Sequence, residues 1–331
     1  MSSRARHASL ALGILALLGA PPALGLNALL ESANQPHQLP AQASTADIQP
    51  TYEDVPYGSH ERNVLDFYEA ESEVPTPVII FIHGGGFVAG DKSLVDPAML
   101  RGALDSGISF ATINYRFVDG SETTFPAPQH DGARAVQFLR SQAQEWNLDP
   151  ARVSCYGGSA GAGIAMWIGF HDDLADPTNR DPVRRQSTRI QGVGSFYGQT
   201  TYDPIVIKEL IGGRAVEHPS LLLIYGLRTH EEALRPSPKM QQLYDESSPI
   251  THLSEDDPPL FMVYGGPARP LPPDSEPGEG VHHPYFGKPA KLKMDALGIE
   301  SVYFLTDETT GDGRAEMLEF FKRHLGPVRR P

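Results

Sequence analysis

The chain has 331 residues, of which 40% are hydrophobic, so it is long enough to bury a full core, and open α/β folds of this size often form one domain. Its formal net charge is −14 at pH 7, from 27 Lys and Arg residues against 41 Asp and Glu residues. Binding to phosphate groups needs clustered basic side chains, and no basic run goes beyond "VRR", so we exclude nucleic acid as a partner.

The first 25 residues have the pattern of a secretory signal peptide. Arg4 and Arg6 precede an apolar run from Ala8 to Ala20, and the small-residue site "ALG" follows at 23–25. About 20 apolar residues are usually needed to span a bilayer, so this run is too short to do so comfortably. We therefore expect cleavage, export to the periplasm or the medium, and no membrane association of the mature chain. An uncleaved N-terminal anchor is the alternative.

Residues 26–50 mix Gln, Ser, Ala and Pro without a sustained period and are predicted to be a linker. From residue 51 to residue 331 the pattern changes to strands that alternate with helices. The segments are, in order, "VPYGSHERNVLDFYEA", "TPVIIFIH", "GISFATINYR", "DGARAVQFLRSQAQEW", "RVSCYGG", "AGAGIAMWIGFHDDLA", "IQGVGSFYG", "PPLFMVYGG", "FGKPAKLKMDALG", "ESVYFL" and "RAEMLEFFKRHLG". Such alternation predicts the α/β class, with a mostly parallel sheet and helices on both faces.

Two segments interrupt the alternation. Residues 201–257 carry helical pieces between two core strands, and we interpret them as a cap-like insertion over the site. Residues 266–283, "GPARPLPPDSEPGEGVHH", form a long Pro-rich loop. Loops of this length are usually functional or disordered.

The segment "YGGSAGAG" contains a G-x-S-x-G motif with a strand before it and a helix after it. Its glycines permit a tight strand-to-helix turn, so that Ser159 projects at the carboxyl edge of the sheet. The helix that follows directs its free amide groups and the positive end of its dipole towards charge that develops there. Ser159 is therefore the predicted nucleophile, against the alternative of a glycine-rich turn kept for close packing.

The segment "FIHGGGFVAGDK" also follows a strand, and its three consecutive glycines can turn backbone N–H groups towards an oxygen that becomes an oxyanion. Gly85 and Gly86, with the N–H of Ala160, are the predicted oxyanion hole. A phosphate-binding loop is the alternative, but G-x-x-x-x-G-K-[ST] does not occur here. His83 is interpreted as a structural residue that fixes the loop.

Together with these segments, four others make the chain resemble the α/β-hydrolase superfamily. They are "INYR", "FPAPQHDGARAVQFLR", "NLDPARVSCYGGSAGAG" and "SPITHLSEDDPPLFMVYG". The specific likeness is to hormone-sensitive-lipase-like and feruloyl-esterase-like carboxylesterases, over most of residues 51–325. The resemblance implies an eight-stranded sheet, no cofactor, and hydrolysis of acyl esters through an acyl-enzyme on Ser159.

The sequence departs from this family at two catalytic positions. The resemblance places an acid in a G-x-x-D segment after the strand "PPLFMVYGG", but the chain has "GGPAR" there. It places a histidine after the last strand, where the chain has "TDETTGDGR". Because a serine hydroxyl is a weak nucleophile at neutral pH, it needs both a base and a group that orients that base.

The candidates for the base are His282 and His283, which end the Pro-rich loop beside Pro284. The loop leaves the carboxyl end of a strand, so its last residues can border the catalytic edge. The acid would then come from the loop or from the segment after the last strand. The candidates are Asp274, Glu276, Glu279, Asp307 and Asp312. Adjacent histidines point apart and no third ligand accompanies them, so no metal site is predicted at this pair.

Two functions remain open on the sequence alone. The first is an exported serine hydrolase that cleaves small or carbohydrate-linked esters, with Ser159 as nucleophile and one of the two histidines as base. The second is a non-catalytic binding or scaffold protein that keeps the turn and the glycine loop because the fold is built around them.

Overall fold

The computed structural model describes residues 48–327, so the predicted signal peptide and nearly all of the predicted linker lie outside the described residues. Eight strands form one sheet. They are β1 (Tyr52–Pro56), β2 (Val64–Tyr68), β3 (Thr76–Ile82), β4 (Ser109–Ile113), β5 (Leu148–Gly158), β6 (Val193–Phe196), β7 (Leu260–Tyr264) and β8 (Ser301–Leu305). Their order across the sheet is β1-β2-β4-β3-β5-β6-β7-β8. β2 is antiparallel to both β1 and β4, and all other neighbours are parallel.

Ten α-helices occur in the described part of the chain. They are α1 (Pro97–Asp105), α2 (Ala127–Ser141), α3 (Ala160–Phe170), α4 (Pro204–Ile211), α5 (Ser220–Tyr225), α6 (His230–Ala233), α7 (Pro238–Ser247), α8 (Pro249–His252), α9 (Gly287–Leu297) and α10 (Gly313–Leu325). Several begin where a side chain caps the first turn and a proline follows it. Asp96 accepts hydrogen bonds from Ala98 and Met99 at the start of α1, and Asp203 does the same for Ile205 and Val206 at the start of α4.

The core lies on both faces of the sheet because successive side chains of a strand point to opposite sides. Along β3, Val78, Ile80 and Ile82 belong to the larger hydrophobic cluster, whereas Ile79 and Phe81 belong to the smaller one. α2, α3 and α9 contribute to the larger cluster, and α1 and α10 cover the other face. Every residue of β3 is buried, as the unbroken apolar run predicts for a strand that is covered on both sides.

The predicted α/β class and the mostly parallel, eight-stranded sheet are confirmed, while two helix boundaries were wrong. α2 begins at Ala127 and ends at Ser141, although apolar residues continue at helical spacing to Trp146. α3 ends at Phe170 rather than near residue 175. The reason is that the carboxylate of Asp173 accepts hydrogen bonds from Ala175 and Thr188, which turns the chain away from the helix axis.

The interruption between β6 and β7 holds α4 to α8, and the chain passes from β7 to α9 through the Pro-rich loop. Within residues 48–327, no helix combines the length and the apolar character that crossing a bilayer requires. The carboxyl ends of the parallel strands β3, β5, β6 and β7 meet at one edge of the sheet, which is where ligands of such sheets bind.

Candidate active site

Ser159 lies in a sharp turn between β5 and α3. Its backbone has φ 51° and ψ −118°, a strained conformation for a residue with a side chain. The turn depends on its glycines. A Cβ atom on Gly157 would lie 2.3 Å from the carbonyl carbon of Gly161, and a Cβ atom on Gly161 would lie 2.0 Å from the Ile82 oxygen. The G-x-S-x-G pattern therefore reflects close backbone packing that exposes the serine hydroxyl.

The glycine loop after β3 lies directly against this turn. A Cβ atom on Gly84 would lie 3.4 Å from the Cβ atom of Ser159. Gly85 (φ 112°) and Gly86 (φ 59°) adopt backbone conformations that favour glycine. The carbonyl of Gly85 accepts hydrogen bonds from Val88 and Ala89, which closes the turn. Gly86 and Ala160 line a cavity together with Ser159, so two of the three predicted oxyanion donors border the same space as the hydroxyl.

His83 supports the loop from behind and does not approach the serine. Its Nδ1–H donates to the Gly84 oxygen at 2.6 Å, and its ring stacks on Tyr115 at a centroid distance of 4.4 Å. Its Nε2 then faces the Arg62 guanidinium at 3.4 Å. Burial, with the charge of Arg62 adding to it, lowers the pKa of His83 to about 4. A neutral, fully buried imidazole fits the structural role predicted for this residue.

His282 lies at the serine. Its Nε2 atom is 2.8 Å from Ser159 Oγ, within hydrogen-bond distance. The preceding carbonyl, that of Val281, accepts a hydrogen bond of 2.5 Å from Gln199 Nε2, and the His282 ring centroid is 5.9 Å from that of Tyr197. The loop that follows β7 therefore returns to the catalytic edge, although the two residues are 123 positions apart in the chain.

His283, the alternative base, does not lie at the serine. Its Nε2–H donates to the Arg269 oxygen at 2.9 Å, and its Nδ1 accepts from the Tyr285 N–H at 3.1 Å. Only 4% of the residue is exposed, and burial lowers its pKa. These two hydrogen bonds hold the His283 ring away from Ser159. Of the two histidines predicted as the base, the structure thus brings His282 and not His283 to Ser159.

Four of the five carboxylates considered for the third position have identifiable partners, and the fifth, Asp274, is exposed. Glu276 and Glu279 form a reciprocal capping box around a short 3₁₀ turn, and Asp312 caps the start of α10. Asp307 accepts a hydrogen bond of 3.0 Å from the Gly266 N–H. Burial raises the pKa of the Tyr197 hydroxyl, while the charge of Arg314 lowers it and the charge of Asp307 raises it.

The cavity beside Ser159 measures about 60 Å³, and its walls are mostly apolar. The insertion supplies most of one wall through Ile207, Leu221 and Ile224, while Val281 and Phe286 come from the loop that carries His282. His218 also lines it and accepts a hydrogen bond from the Ser220 N–H at 3.3 Å. Burial lowers the pKa of His218 to about 4, so this ring is neutral near pH 7. The segment predicted as a cap thus has residues over the serine.

Sequence reasoning missed Gln199, which joins the end of β6 to the loop before His282. Its only sequence signal is its place three residues after a parallel strand, at the catalytic edge. Tyr202, in the insertion, lines the cavity. Trp167, on α3, is a core residue whose Nε1–H donates to the backbone carbonyl oxygen of Glu246 at 2.8 Å.

Comparisons with known proteins indicate the family of the chain. The family model described as BD-FAE matches residues 65–274. The probable carboxylic ester hydrolase LipM of Mycobacterium tuberculosis is 27% identical over 216 residues, covering 64% of this chain and 47% of that protein. A probable isoprenylcysteine alpha-carbonyl methylesterase of Arabidopsis thaliana, ICMEL1, is 27% identical over 267 residues, covering 80% of this chain and 53% of the relative.

Among solved structures, a truncated form of a carbohydrate esterase from gut microbiota superposes with a TM-score of 0.66 at 19% identity, covering 86% of this chain and 99% of that one. At this identity the likeness concerns the fold. The chain spans about half the length of the curated relatives it matches. The BD-FAE match extends over more than half of the chain. The chain belongs to the BD-FAE family of α/β-hydrolase-fold carboxylesterases.

Proposed function

We propose that this protein hydrolyses carboxylic esters through an acyl-enzyme on Ser159, with His282 as the general base. The observation that carries the proposal is the distance of 2.8 Å between His282 Nε2 and Ser159 Oγ. A serine hydroxyl becomes an effective nucleophile when a neutral imidazole within this range accepts its proton. The base reaches the serine from the loop after β7, and catalytic sets are defined by geometry and not by chain order.

In the first half-reaction, Ser159 Oγ attacks the ester carbonyl carbon while its proton passes to His282 Nε2. The negative charge that develops on the carbonyl oxygen is stabilised by the N–H groups of Gly85, Gly86 and Ala160, aided by the positive end of the α3 dipole. The imidazolium then gives its proton to the departing alkoxide, which leaves as an alcohol. A water molecule, deprotonated by the same ring, then attacks the acyl-enzyme, and the ring returns this proton to Ser159 Oγ as the carboxylic acid leaves.

The size of the cavity favours a small acyl group as the part of the substrate that enters it. A volume of about 60 Å³ lined mainly by apolar side chains holds a few carbon atoms and gives little room for a long chain. The alcohol part would extend outwards, where a carbohydrate is one candidate. Two of the structural neighbours are named as a carbohydrate esterase and an acetyl ester-xyloside bifunctional hydrolase, and these names support the proposal without testing it.

Labelling with a fluorophosphonate ester tests the mechanism. We expect rapid, stoichiometric modification of Ser159 in the full chain, none in Ser159→Ala, and labelling slowed by at least about 10³-fold in His282→Ala. His324→Ala is the matched control, because that histidine lies on α10, which covers the other face of the sheet, and pairs with Glu300. Failure of the folded wild-type protein to label would overturn the proposal and favour a non-catalytic binding protein.

We further propose that the chain is exported, on the basis of Arg4, Arg6 and the apolar run that follows them. Cell fractionation combined with N-terminal sequencing of the mature protein checks this. Export predicts a new N-terminus after about residue 25. Retention of the whole chain in the cytoplasm would contradict it.

A further inference from the structure

Three side chains between the end of α3 and the insertion form a cluster that the esterase mechanism does not use. They are His171, at the carboxyl end of α3, Glu246, on α7, and His252, at the end of α8. One potential ligand atom from each lies within 4.8 Å of those from the other two. The geometry points to a binding site for a divalent transition metal ion, with Zn²⁺ as the expected occupant.

The hydrogen bonds of the two imidazoles fix which nitrogen of each ring is available. His171 Nδ1 lies 2.9 Å from the Asp172 carbonyl oxygen, and His252 Nε2 lies 2.8 Å from the Glu246 carbonyl oxygen. A carbonyl oxygen can only accept, so both of these nitrogens carry hydrogen. The lone pairs are therefore on His171 Nε2 and His252 Nδ1. Metal-binding histidines almost always donate their other N–H in this way, which sets the tautomer and the ring orientation.

The distances suit a small divalent ion. His171 Nε2 is 3.3 Å from Glu246 Oε1. Two ligands at about 2.0 Å from a tetrahedral zinc ion are about 3.3 Å apart, so this pair already has the required separation. Two imidazoles and one carboxylate are a ligand set that zinc uses, and it leaves one position for water. Nitrogen ligands make Mg²⁺ and Ca²⁺ less suitable, because those ions prefer oxygen.

The surrounding contacts hold the ligands in place while leaving a route to solvent. The His171 ring lies on Trp167 at a centroid distance of 4.2 Å, and the His252 ring lies 4.6 Å from His171. Trp167 Nε1–H donates to the backbone carbonyl oxygen of Glu246 at 2.8 Å, which links α3 to the end of α7. The side chains of His171 and Glu246 are 16% and 40% exposed, so an ion can enter.

A metal here would join the helix that begins at Ser159 to the insertion that lines the catalytic cavity. α3 runs from the nucleophile turn at one end to His171 at the other, whereas Glu246 and His252 belong to the insertion. Zinc bound to the folded state alone raises the free energy of unfolding by mass action. The role we assign to the ion is structural.

Calorimetric titration of the chelator-treated full chain with ZnCl₂ tests the site. We expect one equivalent to bind, a higher melting temperature with Zn²⁺, and a visible absorption spectrum with Co²⁺ that indicates nitrogen and oxygen ligands. Glu246→Gln keeps the size of the side chain and its backbone contacts, and it should weaken Zn²⁺ binding by at least about tenfold. His171→Gln provides a second variant with the same expectation.

Two controls separate this site from other histidines. His282→Ala should bind Zn²⁺ like the wild type, which excludes the catalytic centre as the binding place. His324→Ala should also bind normally, because His324 forms a similar pair with Glu300, at 3.2 Å, without a second imidazole. Absence of stoichiometric binding, or binding that survives both Glu246→Gln and His171→Gln, would overturn the proposal and leave His171 and Glu246 as a simple ion pair.

Discussion

The two halves of the candidate active site are held in place by different kinds of structure. Ser159 and the glycine loop depend on buried parallel strands and on backbone contacts that admit no Cβ atom at Gly157 or Gly161. His282 lies in a long connection that is held at separate points, such as the hydrogen bond from Gln199 to Val281 and the close approach of Gly280 to Ala215. The nucleophile half is thus part of the core, and changes there should affect folding. The half that holds His282 lies on top of the core, so changes there should affect the rate of the reaction before they affect folding.

The largest expected effect separates the two adjacent histidines. His282→Ala should lower kcat for a small ester by at least about 10³-fold and leave the free energy of unfolding nearly unchanged. His283→Ala should do the opposite, since it removes two hydrogen bonds of a buried ring, with a loss of stability of about 1–3 kcal/mol. Steady-state kinetics and urea unfolding of both variants measure this. Equal losses of kcat in two folded variants would contradict the assignment of the base.

Replacing one glycine in each half of the site with alanine tests this difference. In Gly161→Ala the new Cβ atom would lie 2.0 Å from a backbone oxygen of β3, so we expect a loss of about 3 kcal/mol or a failure to fold. Gly278 lies in the short turn before His282, and no atom lies within 4 Å of a Cβ built there. Gly278→Ala should change the free energy of unfolding by less than about 1 kcal/mol. Denaturant midpoints of the two variants provide the comparison.

Acid should weaken the nucleophile half through His83. The pKa of this ring falls from 6.5 to about 4 on folding, so between these values the unfolded chain binds the additional proton. The free energy of unfolding should therefore decrease as the pH drops from about 6.5 to 4, by up to about 3 kcal/mol from this residue. His218, with a pKa lowered to about 4, and His283, with a pKa lowered by burial, act in the same direction.

Urea unfolding at pH 7 and at pH 4.5 measures this pH dependence. It should be smaller in His83→Gln than in the wild type. His60→Gln, a change in an exposed turn, should retain the wild-type pH dependence. An unchanged pH dependence in His83→Gln would show that His83 is not the responsible group.

The smallest predicted effect concerns the support of the base. Gln199→Ala removes the donor to the Val281 carbonyl next to His282, so kcat should fall by about tenfold while KM changes little. Gln137→Ala is the matched control, because that amide donates at 2.8 Å to the Gln186 carbonyl from α2. It should leave kcat unchanged. A Gln199 variant with wild-type kcat would mean that the loop holds His282 without this hydrogen bond.

The sequence by itself determined the class of fold, the nucleophile turn and the glycine loop. These features are encoded by consecutive residues, since a strand, two or three glycines and a helix start produce their geometry locally. The ends of the helices were harder to predict from the sequence. After α3, the carboxylate of Asp173 accepts hydrogen bonds from Ala175 and from Thr188, which is distant in the sequence.

Only the tertiary structure decided which histidine meets Ser159. His282 and His283 are equivalent as residue types, and their neighbours in the sequence do not distinguish them. The loop holds one ring at the serine and the other in the protein interior through the hydrogen bond of Val281 to Gln199 and the bond of His283 to Arg269 within the loop. The cluster of His171, Glu246 and His252 was beyond sequence reasoning for the same physical reason, because side chains from separate helices meet only after those helices have packed.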